Sequence, residues 1–363
     1  MKQRNNFVFG GLFLSAISLC IGVVVSGAVM ALFGYNPFEA YAAIFKGAFG
    51  SLRGITQTFS QATPLIFTGL AFSFAKQATI INLGIEGQMY MGALGSAIVG
   101  ALELQIPAIL HLSLAIIAGL LFGAAYAGIV GFMKVKFGSN EVIATIMLNS
   151  IAILFVGYLL NGPLLADGSS VAQTTKIVEG ARLPRIFEQY QLSFAIFLAI
   201  FTCIAVHLLI DKTILGFEVR AVGRNIRAAE TAGISIAKIT IFTLGISGAI
   251  AGFAGASHVL GVDRRLILGF SPGYGYDGIA VAALATDSPL GVIVAGTIFS
   301  AFRAGAMELN RGTSIPIEFI NVIQAMVVIL VSAPLLVRDL FSIDRIKELH
   351  TKRKRTLQKE IDV

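Results

Sequence analysis

The chain has 363 residues, of which 56% are hydrophobic and only 13% charged, with a net charge of +7 and a mean hydropathy of +0.83. Soluble domains carry about a quarter of their residues as charges, so this composition excludes a soluble fold and describes a polytopic membrane protein. At about 20 residues per span, a chain of this length holds about ten spans with short loops and no soluble domain. The positive charge fits Lys and Arg in cytoplasmic loops rather than a nucleic-acid surface. Cys20 and Cys203 lie far apart in apolar runs, which suggests neither a disulfide nor a metal site.

Lys2 and Arg4 precede an apolar run from Phe7 to Phe33, longer than a signal-peptide core, and this predicts a retained first span. Leu19 stands where a lipidation signal ending at Cys20 needs a small residue, so no cleavage is expected. Asn36 to Gln61 mixes Glu39, Lys46 and Arg53 with apolar residues and reads as an amphipathic segment on the far surface. A second span is expected over Ala62 to Ile80. The polar sequence NLGIEGQ follows, from Asn82 to Gln88, with Gly84 and Gly87 bracketing Glu86 so that the backbone can leave helical geometry around an ionisable group.

A third span runs from Met89 to Leu102 and a fourth from Pro107 to Met133, ending at a cytoplasmic turn marked by Lys134 and Lys136. In the fifth, Glu141, Thr145 and Asn149 share one helix face, which suits either a pathway or hydrogen bonding between helices. Asn161 to Gln191 forms an outer loop, and a sixth span, Leu192 to Ile210, returns the chain inward. The hydrophilic loop 211–238 then contains a short helix that Asn225 caps and Gly233 ends. A seventh span, Ile239 to Leu260, leads to Asp263, Arg264 and Arg265 outside, an exception to the positive-inside tendency.

Gly269 to Pro289 is a second Gly/Pro-interrupted stretch, with Asp277 inside it. The ninth span is Leu290 to Ala306 and the tenth Ile317 to Val337. The tail 338–363 carries eight Lys or Arg and is expected in the cytoplasm, as is the N-terminus, since ten spans return the chain to its starting side.

An internal repeat is legible as well. Gly119, Phe122, Ala124, Ala127 and Gly128 recur at the same spacing as Gly296, Phe299, Ala301, Ala304 and Gly305, and the same offset carries Glu141 onto Glu318. Glu86 in GIEG finds Asp277 in GYDG once an insertion is allowed. If spans four and nine correspond, the halves differ by five spans, and an odd number makes the repeat inverted. No GxxxxGK[ST] phosphate loop, G-x-S-x-G elbow, HExxH helix or Cys/His cluster occurs, so the chain does not itself hydrolyse ATP in the P-loop manner and an intramembrane enzyme is disfavoured. No cofactor is called for. A transport subunit driven by a separate ATPase is the class these features fit, and an ion-coupled secondary transporter using Glu86 and Asp277 is the rival.

INLGIEGQ, GSNEVIATIMLN, LGFEVRAVGRNIRAAETAGI and GYGYDGIAVAALA together resemble the permease subunits of ABC importers for branched-chain amino acids, monosaccharides and nucleosides, most closely the nucleoside subgroup. The resemblance covers residues 62–337 of what reads as one permease domain over 1–363. It implies a type II importer fold with ten helices in a 5+5 inverted repeat, set in the bacterial cytoplasmic membrane. Implied partners are two cytoplasmic ATPases, a second permease, either paralogue or copy, and an extracytoplasmic substrate-binding lipoprotein. The cargo would be a small polar solute, nucleosides before sugars or branched-chain amino acids. The loop would supply a coupling helix to the ATPase through Glu218, Arg220, Arg224, Asn225, Arg227 and Glu230, while Asn82, Glu86, Gln88, Asn149 and Asp277 would line or shape the path. The chain departs from the family in having Ile226 where Pro is frequent and Tyr276 where Phe is frequent, which adds a hydroxyl beside that path.

Overall fold

The computed structural model describes residues 20–312 and, beyond them, residues 319, 321–323, 325, 326 and 329. The start of the first expected span, most of the tenth, Glu318 and the basic tail lie outside the described residues. Among the described residues the regular elements are all helices, the only extended pairings being isolated bridges such as Gln173 with Ile267. It forms α1 (Cys20–Leu32), α2 (Pro37–Phe49), α3 (Leu52–Gln77), α4 (Ile85–Ala101), α5 (Ala108–Phe137), α6 (Glu141–Asn161), α7 (Ala195–Lys212), α8 (Ile214–Arg224), α9 (Ile226–Thr231), α10 (Ile236–His258), α11 (Tyr274–Leu284) and α12 (Gly291–Gly312).

Among the described residues, four helices are long and apolar enough to cross a bilayer unaided: α5, α6, α7 and α10 with its terminal π-turn at Val259–Asp263. Their outer faces carry Ile117, Leu121, Met147, Leu154, Phe197 and Phe201 in the open, as helices solvated by lipid tails should. The centre is different in kind. Helix α3 is buried on nearly every side from Gly54 to Ala75, and it can therefore carry Thr56, Thr58, Ser60, Thr63, Thr68 and Ser73 without meeting lipid. Several of these hydroxyls donate back into the helix, Thr56 to the Leu52 carbonyl at 2.9 Å and Thr63 to that of Phe59 at 3.0 Å.

This corrects the expected surface segment. Only α2 is separate, and α3 begins ten residues before the predicted second span, because Ser51 caps it by accepting from the Gly54 amide at 3.0 Å. Polar residues 52–61 looked like an interface because their burial against other helices is invisible to hydropathy.

Helices α4, α5 and α10 are joined by glycines. A Cβ on Gly252 would fall on the Gly119 carbonyl, one on Gly123 would lie 2.8 Å from the Gly252 Cα, and one on Gly248 would meet Ala127 and the Gly123 carbonyl. Backbone therefore touches backbone along this seam, as small-residue membrane interfaces require. Around α3, the partners are α10, α11 and α12, with α2 and α1 outside them: Ile44 of α2 packs with Met30 and Ile323. Helices α8 and α9 lie at one end of the bundle, and the loop 162–194 covers the other, pairing Leu183 with the Leu260 carbonyl at 3.0 Å.

Candidate translocation site

Two helices begin inside the membrane. After α3 ends at Gln77, residues 80–84 are non-helical and α4 starts only at Ile85. Five extended residues advance at most about 18 Å, well short of a hydrocarbon core of about 30 Å. Helix α11 is 11 residues long, about 16 Å, too short to span. Its C-terminal loop is tied to the end of α3, where Lys76 pairs with Asp287 at 2.7 Å and Gln77 donates to the Asp287 carbonyl at 3.1 Å. Burial pushes the Asp287 carboxyl above its ordinary range, and Lys76 draws it back down. The other end of α11 meets Thr68, whose hydroxyl donates to the Tyr274 carbonyl at 3.0 Å, roughly 13 Å along α3 from Gln77. Both N-termini thus lie at the same level within the bundle.

They meet at Glu86. Its Oε2 accepts from the Gly275 amide at 2.6 Å, and the carboxylate sits at once in the first turn of α4 and against the first turn of α11. Two helix N-termini, each a partial positive charge, face one acid that is 3% exposed. Gly275 is required here, since a Cβ would fall on the Glu86 backbone.

The broken backbone before α4 is satisfied by α6. Asn149 donates to the Leu83 carbonyl and accepts from the Gly87 amide, both at 2.7 Å, and Thr145 accepts from the Leu83 amide at 3.3 Å. The polar stripe on α6 therefore supplies what irregular backbone in a bilayer must have, while Glu141 at its end pairs with Lys134 at 2.8 Å. Asn82 is as fully used. It accepts from the Gly84 amide and Gln88 Nε2, each at 3.0 Å, and donates to Gln88 Oε1 and Ser247 Oγ, each at 2.9 Å; Ser247 then donates to the Ala71 carbonyl at 2.8 Å. Asn82, Gln88 and Asn149 are all at most 1% exposed.

NLGIEGQ is consequently less of an interruption than its composition suggests. Glu86, Gly87 and Gln88 already belong to α4, and Gly87 serves close packing, a Cβ there lying 2.9 Å from the Asn149 Cα.

Asp277 occupies a different setting. Its side chain is 31% exposed, with Oδ2 3.4 Å from Arg303 Nη1. Arg303 also donates to the Pro272 carbonyl at 3.0 Å and stacks over the Tyr274 ring at 4.9 Å. Tyr276 is 48% exposed and its hydroxyl accepts from Asn149 Nδ2 at 3.3 Å. Just before α11, Ser271 Oγ accepts from the Gly273 amide at 3.3 Å and the Tyr274 amide at 3.1 Å. The sequence reading did not single out Arg303, Ser271 or Ser247; a lone arginine within the apolar run of α12 was the signal for the first. Among the described residues, no three His, Cys, Asp or Glu side chains converge to hold a metal.

At the bundle end, Asn225 caps α9 by accepting from the Ala228 amide at 3.1 Å, and Gly233 follows it with φ +83°. The loop holds two helices, however. Its first half is α8, capped by Thr213, and Gly223 lies inside that helix with its missing side chain facing the Gln77 carbonyl. Thr79 also donates to the Gly223 carbonyl at 2.7 Å. Arg220 is paired with Asp211 at 3.1 Å and Glu218 is half-buried, while Arg224, Asn225, Ile226, Arg227 and Glu230 are exposed. The predicted docking residues thus divide: Arg220 is paired within the permease, Glu218 is half-buried beside it, and four are presented outward around Ile226.

A family model described as branched-chain amino acid transport system, permease component, matches residues 54–332. The guanosine ABC transporter permease protein NupP of Bacillus subtilis is 33% identical over 90% of this chain and 94% of its own length. The nucleoside ABC transporter permease protein NupB of Lactococcus lactis is 31% identical over 88% of this chain and 90% of its own. A glucose ABC transporter permease protein of Haloferax volcanii is 31% identical over 86% and 85%. No solved structure matches. With several helices apolar enough to cross a bilayer and this extent of similarity to named permease proteins, the chain is a multi-pass transport subunit, and it belongs to the branched-chain amino acid transport system permease component family.

Proposed function

We propose that this permease passes nucleosides across the bacterial cytoplasmic membrane, inward, by alternating access, as half of a permease pair driven by two ATPases and loaded by an extracytoplasmic binding lipoprotein. The observation that carries it is the meeting of two half-helix N-termini on Glu86 within the bundle, in a chain whose relatives include permeases named for guanosine and for nucleosides. Half-helix termini inside the membrane are where secondary transporters build their sites, because a helix end supplies polar groups at depth, and the same chemistry is available here. The described packing supports the inverted repeat: α3 packs on α11 and α12 as α10 packs on α4 and α5, the exchange that swapping the halves would give. Ten spans and both termini on the cytoplasmic side complete this reading.

In it, Asn82, Glu86, Gln88 and Asn149 shape the path by fixing the start of α4, and Asp277 faces it. Helix α9, with Arg224, Asn225, Ile226, Arg227 and Glu230 outward, enters a cleft of the ATPase. Its motion reaches the centre through α3, which α8 holds at Gln77 and Thr79 and which holds α11 at Thr68. Replacing residues 226–231 by a Gly/Ser linker should leave membrane insertion intact and abolish substrate-stimulated ATP hydrolysis in the assembled importer. Normal coupling in that variant would remove α9 from the mechanism.

The relative named for glucose supports sugar as a second cargo class. Competition uptake decides between them: unlabelled nucleosides should block labelled nucleoside entry where glucose at the same concentration does not.

A further inference from the structure

A patch beside the junction of α4 and α11 is polar and half-open. It comprises Tyr276, Asp277 and Arg303, one turn into α11 from the junction at Glu86. Lipid cannot face it, because a carboxylate, a guanidinium and a phenol exposed to hydrocarbon are all costly. The lipid-facing surfaces of α5, α6 and α7 carry large apolar side chains instead. A second protein packing tightly here would bury two charges, whereas water accepts them.

The side chains are also held rather than loose. Asn149, itself 1% exposed, donates to the Tyr276 hydroxyl, which leaves the phenol proton pointing elsewhere. Arg303 is fixed from three sides, by the Pro272 carbonyl, the Tyr274 ring and Asp277. Only Oδ2 of Asp277 faces the arginine, and Oδ1 makes no hydrogen bond among the described residues.

Resting on the permease reading above, we propose that Tyr276 and Asp277 are the solute-contact station of the path, taking a neutral solute that has a flat ring and vicinal hydroxyls, the chemistry of a ribonucleoside. The half-open Tyr276 ring offers a stacking face, its hydroxyl a donor, and the free oxygen of Asp277 an acceptor for ribose hydroxyls. Arg303 cancels the acid's charge, so the station holds a neutral solute without trapping a cation. Contact with a single aromatic face and one acceptor is weak, as a path that must release its cargo requires.

The test uses the assembled importer in vesicles, in a Cys20→Ser, Cys203→Ala background. Tyr276→Cys should react with a charged, membrane-impermeant methanethiosulfonate, and transported nucleoside should slow that reaction about fivefold, while Leu154→Cys on the lipid face stays unmodified. A Tyr276→Cys that remains unmodified in a transporting importer overturns the proposal and makes the patch a contact with the partner permease. The second measurement needs no substitution. An azido-adenosine photolysed during turnover should crosslink to the peptide bearing Tyr276, and crosslinks confined to other helices overturn the proposal. Tyr276→Ala should slow ribonucleoside uptake about fivefold, the factor expected for one lost aromatic stack, with Tyr276→Phe within about twofold of the unsubstituted protein. Unchanged uptake in the Tyr276→Ala, Asp277→Ala double variant sinks this inference alone. An unsubstituted importer that carries no nucleoside sinks the functional reading instead.

Discussion

Replacing Asn149 with leucine should dismantle the centre of the permease. The side chain satisfies the Leu83 carbonyl and the Gly87 amide at 2.7 Å each, inside the membrane, where no water substitutes. Each buried group left unpaired costs about 1–3 kcal/mol, so the variant should lose roughly 2–6 kcal/mol of stability. Thermal unfolding of the detergent-solubilised protein measures it, and the control is Asn149→Asp. That variant keeps the acceptor for Gly87 but loses the donor for Leu83, and it should fall between the two. An Asn149→Leu protein that unfolds at the unsubstituted temperature would mean that the start of α4 is held by something else.

Gly252→Val should be as damaging for a purely steric reason. The new side chain would be driven into the Gly119 carbonyl and would sit 3.1 Å or less from the Gly123 Cα, with no flexible neighbour able to yield. Overpacking typically costs about 1–3 kcal/mol when side chains can rearrange, and at least the upper end applies where backbone opposes backbone. We expect the protein to be lost from membranes, scored by immunoblot. Gly245→Val is the matched control on the same helix, since nothing lies within 4 Å of its would-be Cβ, and it should accumulate normally. Equal abundance of the two variants would show that α5 and α10 can separate without harm.

How much of this was legible beforehand depends on whether a feature is local. The cap at Asn225 and the stop at Gly233 are local chemistry, and both appear where the sequence placed them. The stripe of Thr145 and Asn149 was visible as periodicity, but not its purpose, because the backbone it serves lies more than sixty residues away in the chain. Helix α3 was misjudged at its start because hydropathy assumes that a polar residue meets either lipid or water, and Thr56, Thr58 and Ser60 meet neither. Helix α8 was missed for the opposite reason: the amphipathic pattern of Ile214 to Arg224 is local, but Gly216 and Gly223 are poor helix formers, and Gly223 is the point where α8 touches Gln77. Glu86 and Asp277 were paired by motif alone. The structure separates them, one buried and spent on an amide, the other half-open beside an arginine.

The bond between Glu86 and Gly275 also has a history in time. Its partners are 189 residues apart, so at about 5–20 residues per second the carboxylate leaves the ribosome roughly 10–40 s before the amide that will receive it. Until then α4 has an acid at its inner end and no counterpart for it, and the insertion machinery or water must shelter it. A chain stopped short of α11 is therefore chemically marked as unfinished at its own centre. Closing that bond waits for α11, which ties the sealing of the bundle's interior to synthesis of the second half of the chain.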